Sequence, residues 1–308
     1  MQPRAIQSLK ISHTQGVPEK KFPLSDTLFF PTRNPIIGLP ELICCTRSLD
    51  IPGPVHLYIR LMINRTVSAL YIVFIALTSI LLYGCACLIW CLTKPFDKRL
   101  VMLHQFTSFW ATLYIWTMPA WSVKAIGRKR IKKNTTYMVV SNHQSQLDIL
   151  VAFSLFFHFK WVSKAEVFKL PLIGWNMILN EYIKIKRGDR QSVENMMQEC
   201  EASIANGNSV FFFPEGTRSR DGRLKPFKTG AFTLAQKMKI PILPIAINGS
   251  KNALPKHSIN FHGQHHMRIE VLDEIPYARF ENLSVEKTAE LARERIIAHV
   301  DEHNPTHE

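Results

Sequence analysis

The chain has 308 residues, enough for one large domain or two modest ones with a real hydrophobic core. Hydrophobic residues make up 46% and charged residues 20%, which excludes a disordered protein. The 38 Lys and Arg against 24 Asp and Glu leave a formal charge of +14, and that excess predicts an acidic partner: nucleic acid, anionic lipid headgroups or a phosphorylated substrate.

Residues 1–61 are punctuated by proline and lack sustained periodicity, which predicts a poorly ordered extension. Residues 66–93, "TVSALYIVFIALTSILLYGCACLIWCLT", hold 28 residues without a charge, where ~20 suffice for a helix to cross a bilayer. A buried core helix would show a polar face, and a signal peptide would be shorter and nearer the start. The run is therefore read as a membrane helix. Leu100–Val123 is again uncharged but carries His104, Gln105, Trp110, Trp116 and Trp121, and tryptophan favours the membrane–water boundary. It predicts a half-embedded partner helix or a second span, so 62–126 is assigned to membrane anchoring.

Positive charge flanks the first helix at Arg60, Arg65, Lys94, Lys98 and Arg99, and "KAIGRKRIKK" (124–133) holds six basic residues in ten. The positive-inside tendency puts the C-terminal part on the cytoplasmic side of a bacterial inner membrane or an endoplasmic reticulum. Such a cluster also attracts anionic lipid, at about 1 kcal/mol per basic residue. Cysteines at 44, 45, 85, 87, 91 and 200 lack the paired spacing of a zinc site and are expected to be free thiols.

From residue 127 to 308 short apolar runs alternate with amphipathic segments. Strands are predicted at 136–141, 159–163, 209–213, 242–247 and 267–272, and helices at about 144–157, 165–179, 191–206, 229–239 and 285–302. The alternation predicts an α/β domain with a largely parallel or mixed sheet and flanking helices. Ligand sites in such sheets gather at the carboxyl ends of strands, where "SNHQSQLD" (141–148) and "VFFFPEGTRSR" (210–220) both fall.

In the first stretch, His143 in the turn before a helix can fold back toward Asp148, which would fix its tautomer and leave the other ring nitrogen to take a proton. The bland reading is a capping turn that happens to hold a histidine. No nucleophilic serine motif accompanies the pair, so the hydroxyl could belong to the substrate. In the second, Gly216 permits a backbone that exposes amides, and Arg218 offers a planar fork suited to phosphate. Arg220, Arg223, Lys225 and Lys228 continue the positive surface. "KHSINFHGQHH" (256–266) lacks carboxylates and regular ligand spacing, so its histidines are read as a solvated loop and no metal site is expected.

Together the two stretches carry a resemblance. "NHQSQLD" is similar to the N-H-x-x-x-x-D motif, and "FPEGTRS" to the F-P-E-G-T-R-S motif, of the glycerolipid acyltransferases, in particular the 1-acylglycerol-3-phosphate acyltransferases. "SKAEVFKLPLIGW", "IKIKRGDR" and "IPILPI" also resemble family segments, and the likeness covers about 95 to 275. It implies transfer of an acyl group from an acyl thioester, carried by coenzyme A or acyl carrier protein, to the sn-2 hydroxyl of lysophosphatidate. His143 matches the general base and Asp148 its orienting partner. Glu215, Gly216, Thr217 and Arg218 match the acceptor-binding motif, Lys164 a lysine that helps bind the acceptor phosphate, and Arg187 the arginine of the intermediate motif. Glu181 and Lys186 stand in that motif where Gly and Asp are often seen. The resemblance implies no cofactor beyond the acyl donor, and membrane lipids as partners. Acylation of another lysolipid, or a catalytically silent membrane scaffold, are the alternatives. A nucleic-acid partner is set aside, since the charge comes with no recognisable module.

Overall fold

A computed structural model describes residues 54–219, 223–251, 253 and 264–301, with side chains from residue 66 onward. The predicted extension 1–61 thus lies outside the described residues up to 53; from Pro54 the chain is already helical.

The first helix, α1 (Pro54–Thr93), contains the uncharged run 66–93, long and apolar enough to cross a membrane. It turns at 94–100 into α2 (Val101–Trp116). The second predicted membrane segment therefore ends at Trp116, and its remainder forms strand β1 (Trp121–Ile126). The anchoring boundary at 126 is corrected accordingly, because β1 pairs in parallel with the last strand and belongs to the sheet. A tryptophan-rich uncharged stretch hides an edge strand, since only one side of it pairs.

The remaining elements are β2 (Met138–Ser141), α3 (Leu147–Phe153), β3 (Phe159–Lys164), α4 (Ile173–Leu179), β4 (Ile183–Ile185), α5 (Arg190–Ala205), β5 (Ser209–Phe212), α6 (Gly230–Met238), β6 (Ile242–Asn248), β7 (His265–Val271) and α7 (Val285–Ile297). Among the described residues seven strands lie in the order β1-β7-β6-β2-β5-β3-β4. All pairings are parallel except β6 with β7. The sheet is mixed, as predicted.

Strand residues alternate between two cores, as the two-residue period of a pleated strand requires. Val139, Leu243, Ile245, Phe159 and Phe211 face the core shared with α3, while Met138, Val140, Val210, Ile242 and Ala246 face that of α5, α6 and α7. Helix 165–179 breaks at Pro171 into a 3-10 turn (Ala165–Lys169) and α4, because proline cannot donate to the preceding turn. His265 and His266 are not in a loop: they open β7, and the His266 ring meets Ser122 Oγ at 2.7 Å. His257 and His262 lie outside the described residues.

Helix α2 buries polar side chains alongside Leu103, Trp110 and Ile115, and its exposed stripe is apolar. His104, Thr107, Ser108 and Thr112 are buried, while Met102, Phe109 and Trp116, seven residues apart, are exposed. His104 lies between Tyr182 Oη (2.8 Å) and the Phe157 carbonyl (2.9 Å), and Asn176 and Asn180 donate to Thr107 Oγ1. These bonds dock α2 on the α/β layer, and α1 lies along its flank through Tyr71, Ser79 and Tyr114.

Candidate active site

Strands β2, β3, β4 and β5 run parallel, so their carboxyl ends share one edge of the sheet. His143 follows β2, Lys164 ends β3, Arg187 lies just past β4, and the 215–218 turn follows β5. At ~4.8 Å between neighbouring strands, the 215–218 turn lies nearest His143, Lys164 next and Arg187 farthest.

The histidine turn is built by Asp148. This carboxylate is wholly buried, and its Oδ2 accepts from the backbone N–H of Gln144 (2.6 Å) and Ser145 (2.8 Å). Those bonds hold 144–146 as a turn, which is why the helix starts at Leu147 rather than 144. The same Oδ2 accepts from His143 Nδ1 at 2.8 Å. An ionised carboxylate only accepts, so Nδ1 carries the proton and Nε2 keeps its lone pair. The phenyl ring of Phe213 stacks on the imidazole, centroids 4.0 Å apart and planes within 14°. His143 and Asp148 are thus brought together as their spacing suggested.

The second motif wraps the first. Ser219 N–H donates to the His143 carbonyl at 2.9 Å, and His143 N–H donates to Glu215 Oε1 at 2.7 Å. Glu215 is buried, and its other oxygen accepts from Lys225 N–H at 3.2 Å. Burial pushes the Glu215 carboxyl above its usual value, against the pull of these two N–H donors. Its side chain is engaged inside the protein rather than presented at the surface. Gly216 has φ +68°, a left-handed conformation that calls for glycine, and the flexible end of the Lys228 side chain lies against it.

Thr217 is exposed and Arg218 half-buried, both on this turn, and Lys225 Nζ donates to the Arg218 carbonyl. Lys164 is half-exposed and paired with Glu166 at 3.3 Å. Arg187 is exposed, and Lys186 beside it pairs with Asp189 at 3.3 Å. Glu181 points elsewhere, pairing with Lys94 at 3.4 Å. Arg220 lies outside the described residues.

Sequence reasoning missed Phe213, although it sits inside the quoted motif, and Asn142 beside His143. The Asn142 side chain accepts from Ile247 N–H and donates to the Ile247 carbonyl, both at 2.8 Å, which ties the end of β2 to β6. Only the adjacency of Asn142 to the histidine could have signalled it.

Residues 122–248 match the acyltransferase family. A chloroplastic 1-acyl-sn-glycerol-3-phosphate acyltransferase of Brassica napus is 41% identical over 165 residues, covering 53% of this chain and 47% of that one. A 1-acyl-sn-glycerol-3-phosphate acyltransferase of Saccharomyces cerevisiae is 34% identical over 175 residues, 55% of this chain and 56% of that one. The chain spans about half the length of these curated relatives. The crystal structure of the 1-acyl-sn-glycerophosphate acyltransferase PlsC from Thermotoga maritima superposes with a TM-score of 0.62 at 23% identity, covering 77% of this chain and 95% of that one, and so shares its fold. Both motifs stand on one sheet edge, and the segment that carries them, 122–248, is the part of this chain that is similar to the acyltransferase family.

Proposed function

We propose that the protein transfers an acyl group from an acyl thioester to the sn-2 hydroxyl of 1-acylglycerol-3-phosphate, giving phosphatidate. The observation that carries this reading is the His143 Nδ1–Asp148 Oδ2 bond of 2.8 Å at the head of a basic sheet edge. His143 Nε2 takes the proton of the acceptor hydroxyl as its oxygen attacks the thioester carbonyl. The tetrahedral oxyanion then collapses, the C–S bond breaks, and the imidazolium returns the proton to the departing thiolate. Asp148 stabilises the imidazolium in between. No acyl-enzyme forms, and the chemistry calls for no metal or cofactor.

Arg218 is the principal phosphate ligand in this reading, with Lys164 and Arg187 extending the cationic edge toward the acceptor and the donor. Glu215 serves by holding the two motifs together. Coenzyme A and acyl carrier protein present the same phosphopantetheine thioester, so either donor suits the mechanism.

The outward face of α1 and the stripe Met102, Phe109 and Trp116 form the membrane face. Leu170, Ile173, Trp175 and Ile178 extend it, and Trp175 meets Tyr83 of α1 at 5.7 Å. Because α1 is clasped along α2, and α2 on the catalytic layer, this surface rests on one leaflet with the site beside it.

Incubating the membrane-bound protein with labelled acyl thioesters on both carriers and a panel of lysolipids tests the reading. Acylation of lysophosphatidate above all other acceptors supports it. Transfer to a different lysolipid replaces the acceptor, and transfer to none leaves a silent scaffold.

A further inference from the structure

Asp148 spends one oxygen entirely on its own turn. Oδ2 takes the donors of His143, Gln144 and Ser145, all within five residues. The other oxygen, Oδ1, accepts from Ser250 Oγ at 2.5 Å, a residue 102 positions later in the chain. Both side chains are fully buried.

Ser250 is placed by the scaffold. The Asn142 clasp on Ile247 fixes the end of β6 against the end of β2, one residue before His143. Gly249 then turns the chain with φ +78°, where a Cβ would lie 2.2 Å from the His266 carbonyl oxygen, so the loop approaches β7 as closely as a backbone can. The histidine and the serine are set on one frame, on either side of the carboxylate.

We propose that Ser250 is a positioning residue for the His143–Asp148 pair: its hydroxyl donates to Asp148 Oδ1 and fixes the carboxylate plane, so that Oδ2 stays aimed at His143 Nδ1. The inference rests on the acyl-transfer reading above. Without the hydroxyl, Oδ1 is a buried carboxylate oxygen that has lost its donor from the loop after β6, and the carboxylate is free to rotate toward another donor. That rotation releases the imidazole from its orientation. The serine acts through Asp148 alone and touches neither the acceptor nor the thioester.

The test compares steady-state acyl transfer by the membrane-bound protein and its Ser250→Ala, Ser250→Cys, Ser250→Thr and Asp148→Asn variants, with His143→Ala as control and thermal melting on each. Ser250→Ala and Ser250→Cys are expected to lower kcat roughly 10- to 100-fold, the loss of a hydrogen bond to a charged group, with acceptor KM within about twofold. Ser250→Thr keeps the hydroxyl and is expected to retain most of kcat. In the Asp148→Asn background, Ser250→Ala should cost nothing further, because the two act as one unit. Wild-type kcat in a folded Ser250→Ala or Ser250→Cys protein overturns the proposal, as does a full additional loss on top of Asp148→Asn. Should Ser250→Ala melt early, the Cys and Thr pair, closest to serine in size, decides between hydroxyl and packing. An active His143→Ala protein overturns the acyl-transfer reading itself, which is a separate result.

Discussion

Glu215 Oε1 accepts the backbone N–H of His143 at 2.7 Å, so the acidic residue of the second motif is a brace for the first. Its other oxygen holds Lys225 N–H, which closes the basic loop over the histidine turn. An amide in its place can accept one of these N–H groups but turns its own donors toward the other. Glu215→Gln is therefore expected to cost about 1–3 kcal/mol of stability, an orphaned buried donor, and to lower kcat at least tenfold with acceptor KM little changed. Melting curves and kinetics on one preparation check it. A raised KM with wild-type melting would instead put Glu215 on the acceptor.

Arg218 stands on the same turn but half in solvent, where its fork can meet a phosphate. Arg218→Ala is expected to raise the KM for lysophosphatidate roughly 10- to 100-fold, while Arg218→Lys recovers only part of the loss because a point charge replaces a bidentate one. An unchanged acceptor KM would remove Arg218 from the phosphate site.

Much of this site was legible because it is local. His143 and Asp148 are five residues apart, and the strand-then-charged-turn texture puts both motifs at the same sheet edge. The braces were not legible, because they cross the chain: Glu215 reaches back 72 residues, and Ser250 reaches back 102. The five strands with flanking helices were readable from alternation. Strand β4 was not, since three residues at an edge carry no period, and β1 was masked by its tryptophan and its uncharged neighbours. Helix α2 misled for a different reason. Its polar residues face the domain, the reverse of a water-soluble surface helix, and composition alone cannot say which face is inside.

Below α2 lies a buried basic cluster with a pH signature. Burial holds His104 well below the usual histidine value, lowers His158 to about 4, and lowers Lys160 to about 8, with His158 further pressed by Lys160 and both of them by Arg99. His158 donates from Nε2 to Asn208 Oδ1 at 3.0 Å, and Lys160 Nζ donates to the Asn180 carbonyl at 2.7 Å. Each group binds its proton more readily unfolded than folded, so stability rises with pH through each window. The protein is expected to lose roughly 3 kcal/mol through His158 alone as pH falls from 6.5 to 4, at about 1.4 kcal/mol per pH unit, and to gain stability between about pH 8 and 10.5 through Lys160. His158→Asn should flatten the acid limb of a melting-temperature profile by about one proton. An unchanged limb would show that the histidine titrates alike in both states.

On the proposed membrane face, Leu77 and Leu81 of α1 are 64% and 69% exposed among the described residues. Leu77→Ser with Leu81→Ser is expected to weaken vesicle binding by about 3–6 kcal/mol, two Leu side chains withdrawn from hydrocarbon, without changing the circular dichroism. Flotation with anionic vesicles at several salt concentrations measures it. Full retention on the vesicles would move the contact away from this face.

If His143 Nε2 removes the acceptor proton, transfer of a labelled acyl group from its thioester to lysophosphatidate must depend on it. The His143→Ala protein is expected to fold and bind membranes as wild type does, with turnover lower by about 10²–10⁴-fold or below detection. Transfer at the wild-type rate in the variant would contradict that role.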